Sequence, residues 1–84
     1  MTVRIRYFAS LREAVGRAEV TLDLPATVKT GRDLLRLITG QFPAATEHFN
    51  AAGLRIALDY EVASFDAPLA GVKEIALFPP MTGG

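Results

Sequence analysis

The sequence predicts an α+β domain, a small mixed sheet of four to five strands with one main helix packed on one face. Three observations lead there. Short stretches near the start, in the middle and at the end alternate apolar and polar residues, the period of a half-buried strand. Only one stretch, opening at Thr30, joins a helix-start signal to apolar residues at helical spacing. At 84 residues the chain is one domain, 1–84, with room for a single core and little for an enclosed active site.

Residues 3–8 give the first strand, with Val3, Ile5 and Tyr7 on one face and Arg4 and Arg6 on the other. Residues 9–15 are rich in helix formers and end at Gly16, a C-cap residue, so a short helix or turn follows. Residues 19–24 alternate again, Val20, Leu22 and Leu24 against Thr21 and Asp23, until Pro25 closes the strand. These two strands are near enough in sequence to pair antiparallel as a widened hairpin.

Thr30 offers an N-cap oxygen, and Asp33 three residues on approximates a capping box and suits the positive end of the helix dipole. Leu34, Leu35, Ile38 and Phe42 then recur on one face, with Leu37 at its margin, and Pro43 stops the helix. Residues 44–53 are small and polar and read as a loop containing one helical turn. Residues 54–58 form the third strand, 59–61 a turn, 62–64 a brief strand and 74–78 the last strand. In that last strand Ile75 and Leu77 share the face that meets the helix. Ala76 and Phe78 point to the other side, alongside Ala57 and Phe8. The order strand, strand, helix, strand, short strand, strand leaves the first and last strands to lie parallel in the centre. That is the β-grasp, or ubiquitin-like, fold.

Composition removes several functions. Nine basic and nine acidic residues balance and no Lys/Arg cluster occurs, so nucleic acid is not an expected partner. No apolar run is long enough to cross a bilayer, and Arg4 and Arg6 interrupt any signal-peptide pattern, so no membrane partner is expected either. The absence of cysteine excludes disulfides, thiolate chemistry and most zinc sites, and makes a cytoplasmic location the expectation. His48 is the lone histidine, so neither a Cys/His pair nor a multi-histidine metal site can be assembled; it reads as a solvated loop residue. Asp59, Glu61 and Asp66 read as turn residues rather than an acid–base pair, which would need a cleft.

What remains is the end of the chain, Phe78-Pro79-Pro80-Met81-Thr82-Gly83-Gly84. Two prolines cannot continue a central strand, so the strand stops at Phe78 and residues 79–84 form an extended arm. Pro79 and Pro80 stiffen the arm and point it away from the sheet. Met81 and Thr82 give reach, and four residues from Met81 onward span roughly 13 Å when extended. Gly83 and Gly84 have no Cβ, so they can thread a narrow channel. The free carboxylate of Gly84 is then the candidate working group. Phe78 with Phe8, Ala57 and Ala76 is the candidate docking patch at the base of the arm.

Over essentially its whole length the chain resembles the MoaD/ThiS family of ubiquitin-like sulfur carriers. The resemblance rests on residues 3–9 (Val-Arg-Ile-Arg-Tyr-Phe-Ala), Leu11-Arg12-Glu13, residues 62–69 and above all residues 74–84 with their Phe-Pro-Pro-x-x-Gly-Gly ending. That ending favours the molybdopterin branch of the family over the thiamine branch. Two turns depart from the family pattern: Leu58-Asp59 stands where Val-Asn is usual, and Gly71-Val72-Lys73 where an acidic-glycine turn is common. The resemblance implies that an ATP-dependent activating enzyme adenylates the Gly84 carboxylate and that a sulfur donor converts it to a thiocarboxylate. It further implies that the tail enters the large subunit of molybdopterin synthase, in a heterotetramer, and gives sulfur to a cyclic pyranopterin precursor to build the dithiolene. On this view the chain binds no cofactor or metal, the ATP belongs to the activating partner, and the catalytic side chains are on the large subunit. A thiamine-type carrier, or a ubiquitin-like modifier joined to lysines through Gly84, is the alternative.

Overall fold

The chain is organised around a central pair of parallel strands. In the computed structural model, which describes residues 1–80, these are β1 (Thr2–Tyr7) and β5 (Glu74–Phe78). β1 pairs on its other side with β2 (Glu19–Asp23), and β5 with β3 (Arg55–Leu58), which pairs in turn with β4 (Glu61–Ala63). The sheet order is β2-β1-β5-β3-β4, and only the β1–β5 contact is parallel. The helices are α1 (Ala9–Val15), α2 (Gly31–Gln41) and the single turn α3 (Thr46–Phe49), preceded by a 3₁₀ turn at Pro43–Ala45.

Strand period sets the two faces. Val3, Ile5 and Tyr7 are each 1% exposed or less, while Thr2, Arg4 and Arg6 between them are exposed. Register carries this across the sheet, since Ile5 lies opposite both Val20 and Ile75, and Leu77 opposite both Tyr7 and Ile56. Leu34 and Ile38 of α2 are fully buried in the same core. Fully burying side chains of this size stabilises by about 1.5–3 kcal/mol each.

Local chemistry fixes the ends of the helices. The Thr30 hydroxyl accepts from the Asp33 backbone N–H (3.2 Å), and the Asp33 carboxylate accepts from the Thr30 N–H (3.3 Å), a complete capping box. Asp33 also accepts from the Lys29 N–H at 3.0 Å. Gly16 closes α1 at φ 82°, a left-handed position where glycine avoids the Cβ penalty. Between β3 and β4, Asp59 (φ 47°) and Tyr60 (φ 74°) form a two-residue turn with both central residues left-handed, the twist a tight hairpin needs.

Five expectations shift. β1 runs Thr2–Tyr7 rather than 3–8, β2 ends at Asp23 and β3 begins at Arg55, while the brief strand runs Glu61–Ala63 rather than 62–64. The segment 44–53 is more than a polar loop. Ala45 and Phe49 are buried, and the Phe49 ring stands 6.2 Å from that of Tyr7. The reason is tertiary: Leu11 of α1, Phe42 and Phe49 close the end of the core beneath Tyr7, which a window of small and polar residues does not reveal.

Candidate functional site

The outer face of the sheet carries the site. Ala76 of β5 lies opposite Arg6 of β1 and Ala57 of β3, and Phe78 lies opposite Arg55. Two adjacent alanines leave a shallow floor between larger neighbours, and Ala57 is 8% exposed at its base. The result is an open groove of about 910 Å³ with an apolar lining. Phe8, next to β1, and Tyr60, in the β3–β4 turn, lie to either side of β5, and Ala57, Ala76 and Phe78 share the lining. Pro79 and Pro80 complete the end where the arm begins.

All six docking and arm residues read from the sequence that fall within the described region therefore line one groove: Phe8, Ala57, Ala76, Phe78, Pro79 and Pro80. Met81, Thr82, Gly83 and Gly84 lie outside the described residues. Pro79 and Pro80 are half-buried rather than projecting. Pro80 rests against Gly53, whose φ is 86°, and a Cβ on Gly53 would stand 2.7 Å from the Pro80 Cβ. The arm is thus held against the body through residue 80, where free departure after the strand was expected.

Among the contributors that the sequence does not disclose, three shape the site. His48 is exposed, as expected, but α3 places it on the groove wall with Ala51 nearby. Tyr60 reaches the groove because the left-handed turn at 59–60 folds back over β5, and it is 80% exposed. Gly53 stands in the sequence only as the end of a loop. The signal for all three lay in long-range pairing, which no local window carries.

The electrostatics hold the start of β5. The Asp59 carboxylate accepts from the backbone N–H groups of Glu74 (2.9 Å) and Lys73 (3.0 Å), and the Glu74 carbonyl accepts from the Asp59 N–H at 2.8 Å. Those N–H donors, Glu74's first, hold the Asp59 carboxyl below its ordinary range. Asparagine could accept the same two bonds, so the departure at Leu58-Asp59 leaves the turn intact. Glu74, 8% exposed, meets Arg4 at 3.4 Å. Its carboxylate also pushes up the Tyr60 phenol. These contacts fix the strand that ends in Phe78. They assemble no reacting group: Ser10 and His48 both line the groove, but no hydrogen bond joins them among the described residues. Among the described residues no group of three or more His, Cys, Asp or Glu could hold a metal, and no helix is long and apolar enough to cross a membrane.

The arrangement offers an apolar seat continuous with an arm, which suits holding a partner more than performing chemistry. Comparison with known proteins agrees with this architecture. The molybdopterin synthase sulfur carrier subunit of Escherichia coli (strain K12) is 36% identical over 84 residues, covering 98% of this chain and 99% of that protein. Two crystal structures of the small archaeal modifier protein SAMP1 of Haloferax volcanii superpose on it. One has a TM-score of 0.80 and 28% identity, covering 100% of both chains. The other has 0.76 and 25%, covering 95% of this chain and 98% of that one. The ThiS family model matches residues 5–84, from the second apolar residue of β1 through the Gly83-Gly84 pair, and on that full-length match the chain belongs to the ThiS family, with its ubiquitin-like β-grasp fold.

Proposed function

We propose that this chain is the sulfur-carrier subunit of a molybdopterin synthase and that Gly84 carries the sulfur. The observation that carries the reading is continuity. Phe78, Pro79 and Pro80 line an apolar groove and lead directly into Met81-Thr82-Gly83-Gly84, so one partner can grip the groove and receive the arm together. The full-length relationship to molybdopterin synthase sulfur carriers names the partner class.

The chemistry follows from the carboxylate. A carboxylate is a poor electrophile, so an ATP-dependent activating enzyme first joins it to AMP with loss of pyrophosphate. Hydrosulfide released by a sulfur donor then attacks the acyl carbon, the acyl–phosphate bond breaks with AMP leaving, a proton is lost, and a thiocarboxylate remains on Gly84. In the large synthase subunit the thiocarboxylate sulfur bonds to a carbon of a cyclic pyranopterin precursor, towards the dithiolene that binds molybdenum, and water then cleaves the bond between that sulfur and the Gly84 acyl carbon, regenerating the carboxylate. The chain supplies position and a carrier atom, while acid, base and metal chemistry belong to its partners.

Intact-mass measurement after co-expression with the activating enzyme and sulfur donor tests the reading. The C-terminal peptide should gain the mass difference between sulfur and oxygen. Deleting Gly83-Gly84 should abolish cofactor synthesis and leave the melting temperature unchanged, because the buried core of the described residues runs from Val3 to Leu77. Cofactor synthesis by the truncated chain would sink the proposal.

The likeness to a small archaeal modifier protein favours one second reading, a modifier joined through Gly84 to lysines of other proteins. Isopeptide-linked ladders that vanish on deletion of Gly83-Gly84, without any thiocarboxylate, would select it.

A further inference from the structure

We propose that the groove takes a protein surface on which an apolar side chain stands among carboxylates, and that Arg6 and Arg55 select for it. The inference deepens the docking role given to the groove above. It rests on charges that the fold leaves unused.

Arg6 and Arg55 flank the apolar strip. Arg6 lies opposite Ala76 and Arg55 opposite Phe78, so the two guanidinium groups start from the strands on either side of β5 on the groove's own face. Both residues are exposed. Neither joins an ion pair among the described residues, whose pairs engage Arg4, Arg32, Arg36 and the N-terminus. The case of Arg6 is informative. Its register partner on β2 is Glu19, yet the Glu19 carboxylate lies 3.4 Å from Arg4. Arg6 instead sits over the Phe8 ring, 5.2 Å from its centroid, at the side of the groove. The charge of Arg6 also acts on the Tyr60 phenol across the groove, opposing the larger effect of Glu74. The Glu74 carboxylate, for its part, is engaged by Arg4.

An exposed cation stacked on an aromatic ring gives up little when a carboxylate draws it away. Two such cations beside an apolar floor add modest affinity, but they steer encounter and reject basic surfaces. A second copy of this chain is a poor occupant, because a twofold pairing through the same face would set Arg6 and Arg55 against their own kind. The occupant is therefore a different protein with an acidic rim.

The test uses the full chain, isotopically labelled, titrated by NMR with two blocked peptides, Glu-Asp-Leu-Phe-Asp-Glu and Lys-Lys-Leu-Phe-Lys-Lys. The acidic peptide should shift the amides of Phe8, Ala57, Ala76 and Phe78 and bind about tenfold or more tightly than the basic one. The double variant Arg6→Glu/Arg55→Glu should reverse that order with an unchanged melting temperature, and Arg6→Lys/Arg55→Lys should keep most of it. Equal binding of the two peptides, shifts outside the groove, an order unchanged in the Glu variant, or groove shifts that follow protein concentration alone would each overturn the proposal. A parallel stopped-flow measurement with the cognate large synthase subunit separates the two readings. Association should slow about tenfold in the Glu variant and lose its salt dependence. A peptide preference that holds while the large subunit fails to bind would keep the surface proposal and remove the proposed partner.

Discussion

Gly53 and Pro80, remote in sequence, are built against each other: the backbone at Gly53 is left-handed (φ 86°), and a Cβ there would stand 2.7 Å from the Pro80 Cβ. Two penalties therefore meet at one position. The left-handed backbone costs a non-glycine residue roughly 1–2 kcal/mol, and the contact with Pro80 adds a clash that only movement of the arm or loop relieves. Gly53→Ala should lower stability by about 1–3 kcal/mol in urea unfolding. In the Gly53→Ala background, Pro80→Gly should recover the part due to the clash and leave the part due to the backbone. If the two substitutions prove additive, the contact does not hold the arm.

Tyr7 is buried under Phe42 and Phe49, with ring centroids 6.3 and 6.2 Å away, and its hydroxyl finds no hydrogen-bond partner among the described residues. A buried unpartnered polar group costs about 1–3 kcal/mol, so Tyr7→Phe should be neutral or stabilising, although it deletes an atom group from the core. Burial also pushes the Tyr7 phenol up to about 12. The unfolded chain then loses this proton before the folded one does. Its contribution is complete below about pH 10, the unfolded value, and is lost as pH rises towards the folded value. Tyr7→Phe should flatten this alkaline fall in the urea midpoint.

At the acid side the signs reverse. Backbone N–H donors lower the carboxyl of Asp33, Lys29's first, and that of Asp59, Glu74's first. Both contribute stability above the unfolded carboxyl value of about 3.9 and lose it as pH falls through their folded values. Asn at either position can still accept from the same backbone groups. The Asp33→Asn/Asp59→Asn double variant should therefore keep the fold and show a shallower loss of urea midpoint between neutral pH and pH 3. Removing the cap itself is different: Thr30→Ala leaves the Asp33 N–H without its acceptor and should cost about 1 kcal/mol at neutral pH.

How far the sequence discloses this molecule depends on the range of each interaction. The Thr30–Asp33 cap, Gly16 and the strand alternation of β1 and β5 are local, and each was legible residue by residue. Phe8, Ala57, Ala76 and Phe78 could be gathered on one face because strand period and a parallel β1–β5 pair follow from the element order. Phe49 was illegible, since its neighbours are small and polar and only the closure beneath Tyr7 explains its burial. Tyr60 and His48 reach the groove, and Gly53 reaches Pro80 at its end, through chain reversals whose direction is set by left-handed backbone and helix packing. None of these leaves a periodic trace.

Adjacent residues of β5 provide the sharpest separation of fold from docking. Leu77 is fully buried and packs in the core, opposite Tyr7 and Ile56, whereas Phe78 is half-buried on the groove face. Leu77→Ala should cost about 2–5 kcal/mol, the range for a truncated core leucine, and in a chain this small that is a large share of its stability. Phe78→Ala removes a ring that lines the groove and should cost clearly less, because solvent already reaches it. Partner binding should respond in the opposite order. Measured at a temperature where both variants are folded, Phe78→Ala should weaken the proposed large-subunit complex by tenfold or more, about 1.4 kcal/mol, and Leu77→Ala by far less. If Leu77→Ala weakened the complex as much as Phe78→Ala did, the groove face would not be the docking surface, and the arm alone would have to account for recognition.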